Sequence, residues 1–265
     1  AAEAVDAVAP AAAVKGRIVQ NINAGWEFDA GTTDFSGWTF PVGGSSGTVD
    51  LPHSWEYTHP AMSFIPQMNT KTVTYSKTID VAAYQGRKLF IKFYGSSRNT
   101  ELLIDGVNVG THVGGYSAFT FDITDYVQGK SSVSVVARVT NIDTVSIPIN
   151  VDYTQWAGIY RDVELISPES QHVSLEDYGS DGFYIDSAVS GGVADISIRV
   201  QLSNSASFDA PVTLRASVLD AAGNLVRSVD VPSELSASST AVPLRCSLRV
   251  SNPHLWNGVA DPYLY

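Results

Sequence analysis

Along most of this chain apolar and polar residues alternate with a period of two, and that pattern restricts the fold more than any other feature. Val73, Tyr75 and Ile79 are interleaved with Thr72, Thr74, Ser76 and Thr78. Leu89, Ile91 and Phe93 alternate with Lys92, and Phe119, Phe121 and Ile123 with Thr120 and Asp122. Val133, Val135, Ala137 and Val139 repeat the pattern. Successive side chains of a strand point to opposite faces, so these runs predict half-buried antiparallel strands. Asp105-Gly106 separates two of them. These residue types accept the positive φ angles of a type I′ hairpin turn. Helical periodicity is scarcely present, and the expected fold class is all-β.

The texture changes near Ser167-Pro168-Glu169-Ser170. Aromatic residues are dense before it, among them Trp26, Trp38, Trp55, Phe64, Tyr94 and Trp156. After it the runs turn aliphatic: Ile196, Ile198, Val200 and Leu202, then Val212, Leu214, Ala216 and Val218, with a turn at 220–223. Short, regularly spaced strands of this second kind predict an immunoglobulin-like sandwich. The expected organisation is a flexible Ala-rich leader over 1–16, one β-domain over 17–167 and a second over 168–265. Trp38 and Trp55 are expected in the core.

Composition narrows the possible partners. The net charge is -11 with no Lys/Arg cluster, a surface that repels a phosphate backbone, so no nucleic-acid partner is expected. No apolar run approaches the roughly 20 residues of a membrane helix, so no membrane insertion is expected. The one cysteine, Cys246, lies in the run Val242, Leu244, Cys246, Leu248, Val250 and reads as a small buried hydrophobe. The start, from Ala1 to Val14, has neither a basic segment nor a long apolar core. It fits the mature side of a cleaved signal peptide, or a spacer, and a secreted or cell-surface bacterial location is expected.

Groups that could perform chemistry are scattered. His53, His59, His112, His172 and His254 show no metal-ligand spacing, and each reads as a surface or hydrogen-bonding histidine. Neither Ser36-Gly37 nor Ser45-Ser46-Gly47 forms a nucleophile elbow. The glycines from Gly110 to Gly115 sit between strands and do not form a phosphate-binding loop. Glycoside hydrolysis needs two facing carboxyl groups, and no such pair stands out. No catalytic residue, metal ligand or cofactor is predicted.

Several segments, taken in order, carry a resemblance. Leu51-Pro52-His53-Ser54-Trp55 resembles the "LPHDW" signature of the family 2 glycoside hydrolases, which include β-galactosidases, β-glucuronidases and β-mannosidases. Tyr75-Ser76-Lys77 is similar to its "YRK" strand, and the stretch from Gly95 to Gly110 to its glycine-bounded hairpin. Gly114-Gly115-Tyr116-Ser117-Ala118-Phe119 resembles "GGYtpF", and Phe121-Asp122-Ile123-Thr124 resembles "FDiT". Gly158-Ile159-Tyr160-Arg161-Asp162-Val163 matches "GIYRDV" throughout, and the segment from Asn252 to Tyr265 resembles "P.LW.pe.PyLY". Ser54, Thr74 and Ser76 depart from the pattern.

The resemblance implies a jelly-roll sugar-binding domain followed by an immunoglobulin-like domain truncated at its C-terminus, with a possible free sheet edge. It also implies that the (β/α)₈ barrel bearing the catalytic glutamates starts after this chain stops. The chain alone is then expected to be inactive, with the missing barrel and the terminal sugar of a β-glycoside as its partners. Within the family an aspartate six residues before the glycine of "GIYRDV" reaches a hydroxyl of the terminal sugar; Asp152 holds that position. A carboxylate suits the task because charge-assisted hydrogen bonds are strong, although a solvated loop carboxylate is the plain alternative. Trp156 offers an aromatic face to a pyranose, or to core or interdomain packing. Arg161 and Asp162 read as a structural ion pair or backbone anchor. The leading expectation is the non-catalytic N-terminal portion of a retaining exo-β-glycosidase, β-galactosidase first, that shapes the pocket rim. A free-standing carbohydrate-binding module and a structural or interaction module are the alternatives.

Overall fold

The alternating runs are strands in the structure, a computed structural model that describes residues 16–31, 46–55, 72–141 and 157–265. The leader up to residue 15, together with Trp38, His59, Phe64, Asp152 and Trp156, lies outside the described residues. Ten strands build the first domain: β1 (Ile18–Asn21), β2 (Trp26–Asp29), β3 (Gly47–Val49), β4 (Thr72–Asp80), β5 (Phe90–Phe93), β6 (Asn99–Ile104), β7 (Val107–Val113), β8 (Phe119–Asp122), β9 (Ser132–Thr140) and β10 (Val163–Ser167). One sheet has six strands in the order β3-β2-β4-β9-β6-β7, and the other has four in the order β1-β10-β5-β8.

The two sheets face each other across a continuous core. Val73, Tyr75 and Ile79 of β4, Val133, Val135, Ala137 and Val139 of β9, and Leu102 and Ile104 of β6 enter it from one side. Ile91 and Phe93 of β5, Phe119 of β8, and Val163 and Leu165 of β10 enter from the other. Each such large side chain taken from water contributes roughly 1.5–3 kcal/mol, which is why the alternation dictates the register. Trp26 and Trp55 are buried in the same core. The hairpin between β6 and β7 turns on Asp105 (φ 48°) and Gly106 (φ 80°), both left-handed as a type I′ turn requires. One helical turn, α1 (Thr124–Val127), follows β8 and buries Val127.

The second domain contains β11 (Gln171–Val173), β12 (Phe183–Ser190), β13 (Val193–Asn204), β14 (Ala210–Leu219), β15 (Leu225–Leu235) and β16 (Ser239–Ser251). Strand β13 is central. β12 and β11 share one of its edges, and β16 lies along the other. β14 and β15 pair into a separate two-stranded sheet, joined by a turn in which the Asp220 carboxylate accepts from the amides of Ala222 and Asn224. The whole is the all-β arrangement of a jelly-roll sandwich followed by an immunoglobulin-like one.

The second core is thin. Val200, Leu202 and Leu235 are buried, with Val173, Ile198, Val212, Leu214 and Leu244 packed around them. Phe183 and Ile185 of β12 stand opposite Val200 and Ile198, so they share the inner face, yet they stay 49% and 60% exposed. The facing sheet is two strands wide and does not reach them. Cys246 shares that face, opposite Ile198, and is only partly buried for the same reason, which corrects the fully buried reading.

The domains meet on the outer face of β5. Phe90, Ile166 and Leu175 form a small cluster there, and Lys92, read from the alternation as a polar outward residue, is 3% exposed with its ammonium 3.0 Å from the Asp181 carboxylate. Gly179 (φ 71°) lies against Ala118 and Phe119 so closely that a Cβ would fall 2.4 Å from the Ala118 carbonyl oxygen. Strand β5 is thus apolar on one face because of its own sandwich and buried on the other because of the next domain.

Candidate functional site

Segments distant in sequence converge at one end of the first sandwich, and they are the segments that carry the resemblance. The chain reaches β10 through Ala157, Gly158 and Ile159, which close against His53 and Ser97. His53 donates its amide to the Ile159 carbonyl at 2.8 Å. Ser97 donates to the Gly158 carbonyl at 2.9 Å, and Gly158 forms a bridge with Ser97. Gly158 adopts φ 104°, and a Cβ there would lie 2.6 Å from the His53 carbonyl oxygen, 2.7 Å from the Tyr75 hydroxyl and 3.3 Å from the Trp55 ring. Only a residue without a side chain fits both that backbone conformation and that space.

Beneath the glycine, Tyr75 and His53 form a fixed pair. The Tyr75 hydroxyl and His53 Nδ1 are 2.8 Å apart, and the Phe28 ring packs on both, with centroids at 4.7 and 5.0 Å. Burial raises the Tyr75 phenol well above its ordinary range, so it stays neutral and serves as a hydrogen-bonding post.

The neighbouring loop carries a buried polar run. Ser96, Ser97, Arg98, Thr100 and Asn141 are all buried. Thr100 Oγ1 donates to Ser96 Oγ at 2.8 Å, the Arg98 amide donates to the Thr140 carbonyl at 2.8 Å, and its carbonyl accepts from the Gly114 amide at 3.0 Å. The Tyr160 hydroxyl donates to the Gly115 carbonyl. The "GGY" and "GIYR" segments are therefore pinned to each other and to the Ser97-Arg98 corner. Sequence reasoning missed this buried row. Its signal was Ser96-Ser97-Arg98, three polar residues that follow strand β5 after Tyr94 and Gly95.

Arg161 and Asp162 serve as anchors, as one half of the sequence reading held. The Asp162 carboxylate accepts from Asn23 Nδ2 at 2.7 Å and its carbonyl accepts from the Tyr94 amide at 3.0 Å. The Arg161 guanidinium stands 5.6 Å from the centre of the Tyr160 ring. Each side chain thus engages a different partner, and the expected ion pair between them is not formed. Asp152 and Trp156, the two candidate sugar contacts, precede Ala157 in sequence and lie outside the described residues. Chemically, this end is a rigid, densely hydrogen-bonded support. Among the described residues no group of three His, Cys, Asp or Glu side chains is arranged to hold a metal ion.

Comparison with known proteins places this geometry. A family model described as the sugar binding domain of glycosyl hydrolases family 2 matches residues 45–168, and a model of glycosyl hydrolases family 2 matches residues 175–265. The chain is 32% identical over 227 residues to a β-glucuronidase of Bacteroides fragilis, a match covering 84% of this chain and 32% of that protein. It is 28% identical over 253 residues to a β-galactosidase of Bacteroides ovatus, covering 92% of this chain and 28% of that protein. The crystal structure of a Bacteroides uniformis β-glucuronidase superposes with a TM-score of 0.78 at 28% identity, over 91% of this chain and 28% of that one. The chain spans about a third or less of the length of these relatives.

Proposed function

The chain belongs to glycosyl hydrolase family 2, and from that premise we propose that it is the non-catalytic N-terminal portion of an exo-acting, retaining β-glycosidase and shapes the rim of the sugar pocket. One observation carries the reading. The "GIYRDV" segment is clamped at Gly158 between His53, Tyr75, Trp55 and Ser97, at the end of the sandwich where the resembling segments meet. A group that must meet a sugar hydroxyl to within a few tenths of an ångström needs such a support, because positioning errors near 1 Å lose most of the benefit. Asp152, six residues before Gly158, is the proposed hydrogen-bond acceptor for a hydroxyl of the terminal sugar, and Trp156 the proposed stacking face. A rim closed on this side leaves room for a terminal residue only.

Galactose is the proposed sugar. Glucuronate is the second reading, favoured by the 32% identity to the Bacteroides fragilis β-glucuronidase. Titrating the 265-residue chain with galactose, glucuronate and mannose under NMR observation tests the proposal. Silence toward all three is expected, because half a pocket leaves most of a sugar's hydroxyls in water. Micromolar binding that disappears in Asp152→Asn would instead make the chain a free-standing carbohydrate-binding module.

A further inference from the structure

We infer that the outer face of the second sandwich carries an oxyanion-binding groove built on Arg199 and Arg245, suited to a carboxylate or sulfate group borne on a saccharide. The strand registers define the groove. Tyr184, Arg199 and Arg245 form one cross-strand row over β12, β13 and β16, and Asp186, Ser197 and Ser247 form the next. These six residues line a concavity of about 550 Å³.

Three observations separate this row from an ordinary charged surface. First, the two arginines are directly opposed, and like charges facing each other across an antiparallel pair are destabilising. Second, the rest of the domain avoids that cost: Arg215 pairs with its cross-strand partner Asp230 through two bonds of 2.7 Å, and Arg249 pairs with its cross-strand partner Asp195 at 2.7 Å. Among the described residues no carboxylate pairs with Arg199 or Arg245. Asp186 lies on β12, two strands from Arg245, a separation of about 10 Å.

Third, one guanidinium is held in place beforehand. Arg199 lies over the Tyr184 ring at 4.0 Å, and the Tyr184 hydroxyl is held by Asp177 and Ser180. Gln201, in the amide orientation that satisfies both its ends, accepts from Arg199 Nη1 at 2.6 Å. The remaining N–H groups of Arg199, the whole fork of Arg245 and the hydroxyls of Ser197 and Ser247 then face one groove. Planar forks of this kind bind carboxylate and sulfate oxygens in pairs, and a bridging anion would turn the repulsion between the arginines into attraction. In a chain of net charge -11 this is a local exception to the overall sign. The saccharide as carrier rests on the glycosidase reading above; the oxyanion chemistry does not.

The test follows backbone amide shifts of the 265-residue chain in three titrations: inorganic sulfate, a galacturonic acid trisaccharide and a neutral galactose trisaccharide. Saturable shifts centred on residues 184, 197, 199, 245 and 247 are expected with the first two ligands and not with the third. Arg245→Gln should weaken both by about tenfold or more, Arg245→Lys less, and Arg227→Gln, an arginine of β15 outside the groove, not at all. Without anion, Arg245→Glu should raise Tm by pairing with Arg199, which shows that the site is strained when empty. Sulfate binding without trisaccharide binding would overturn the saccharide source alone. No saturable sulfate response, or one that survives in Arg245→Gln, would overturn the groove.

Discussion

Gly158 ties together segments far apart in the sequence. Its φ of 104° and the 2.6 and 2.7 Å distances awaiting a Cβ make it the hinge pin between the "LPHSW" and "GIYRDV" segments. Gly158→Ala is therefore expected to cost about 3 kcal/mol or more, from backbone strain together with displaced neighbours, when urea midpoints of variant and wild type are compared. A loss within 0.5 kcal/mol, on the order of a surface substitution, would show that the clamp is slack. The contrast with Gly106 is instructive. Both glycines have positive φ, but a Cβ at Gly106 meets nothing within 4 Å, so its role is conformational only. Asp105-Gly106 could be read from two adjacent letters because a hairpin turn is a local event. The clamp on Gly158 could not, because its partners His53, Trp55, Tyr75 and Ser97 are far off in sequence and no periodicity reports them.

Among the elements, the strands whose partners lie within their own sandwich were legible, and those at the domain junction were not. Strands β4 and β9 bury the residues that the alternation assigns to the core. Strand β5 hides Phe90 and Lys92 on its second face as well, since the loop after β11 covers it, and a single sequence contains no sign of which face another domain will take. Strand β11, the first of the second domain, holds a titratable group, His172. Nδ1 of His172 donates to the Glu169 carbonyl at 2.8 Å, while its Nε2 is buried with no hydrogen-bond partner. Burial lowers its pKa, the bonds to the Glu169 and Ser170 carbonyls oppose that shift, and Arg17 and Lys88 add to it. The unfolded chain then takes up a proton below about pH 6.5 that the folded chain refuses. Stability should fall as pH drops from 7 toward 5 and level off below the depressed folded-state pKa. Urea midpoints at pH 7.5 and 5.0 check this: His172→Gln should lose less between the two than wild type does. An equal loss would place the effect elsewhere, for instance on His112, whose pKa burial also lowers.

For the whole molecule, the division of apolar material matters most. The first sandwich has a continuous core around Trp26, Trp55, Tyr75 and Phe93. The second rests on Val200, Leu202 and Leu235 and leaves Phe183 and Ile185 half in water. Calorimetry of the 265-residue chain should resolve two transitions, with the second sandwich melting first; a single transition whose calorimetric and van't Hoff enthalpies agree would show that the junction at Lys92 and Gly179 fuses the two. The all-β class and the order of the domains were readable because period-two alternation and turn residues are cumulative signals. The thinness of the second core was not, because its strands alternate as well as those of the first. Under the proposed function, Asp152 contributes to one wall of a sugar pocket. The measurement that tests it most directly is kcat/KM of the full-length enzyme on an aryl β-galactoside and an aryl β-glucuronide, with and without Asp152→Asn. Loss of a charge-assisted hydrogen bond predicts a fall of about 10- to 100-fold on the preferred substrate. An unchanged kcat/KM on both would contradict the claim.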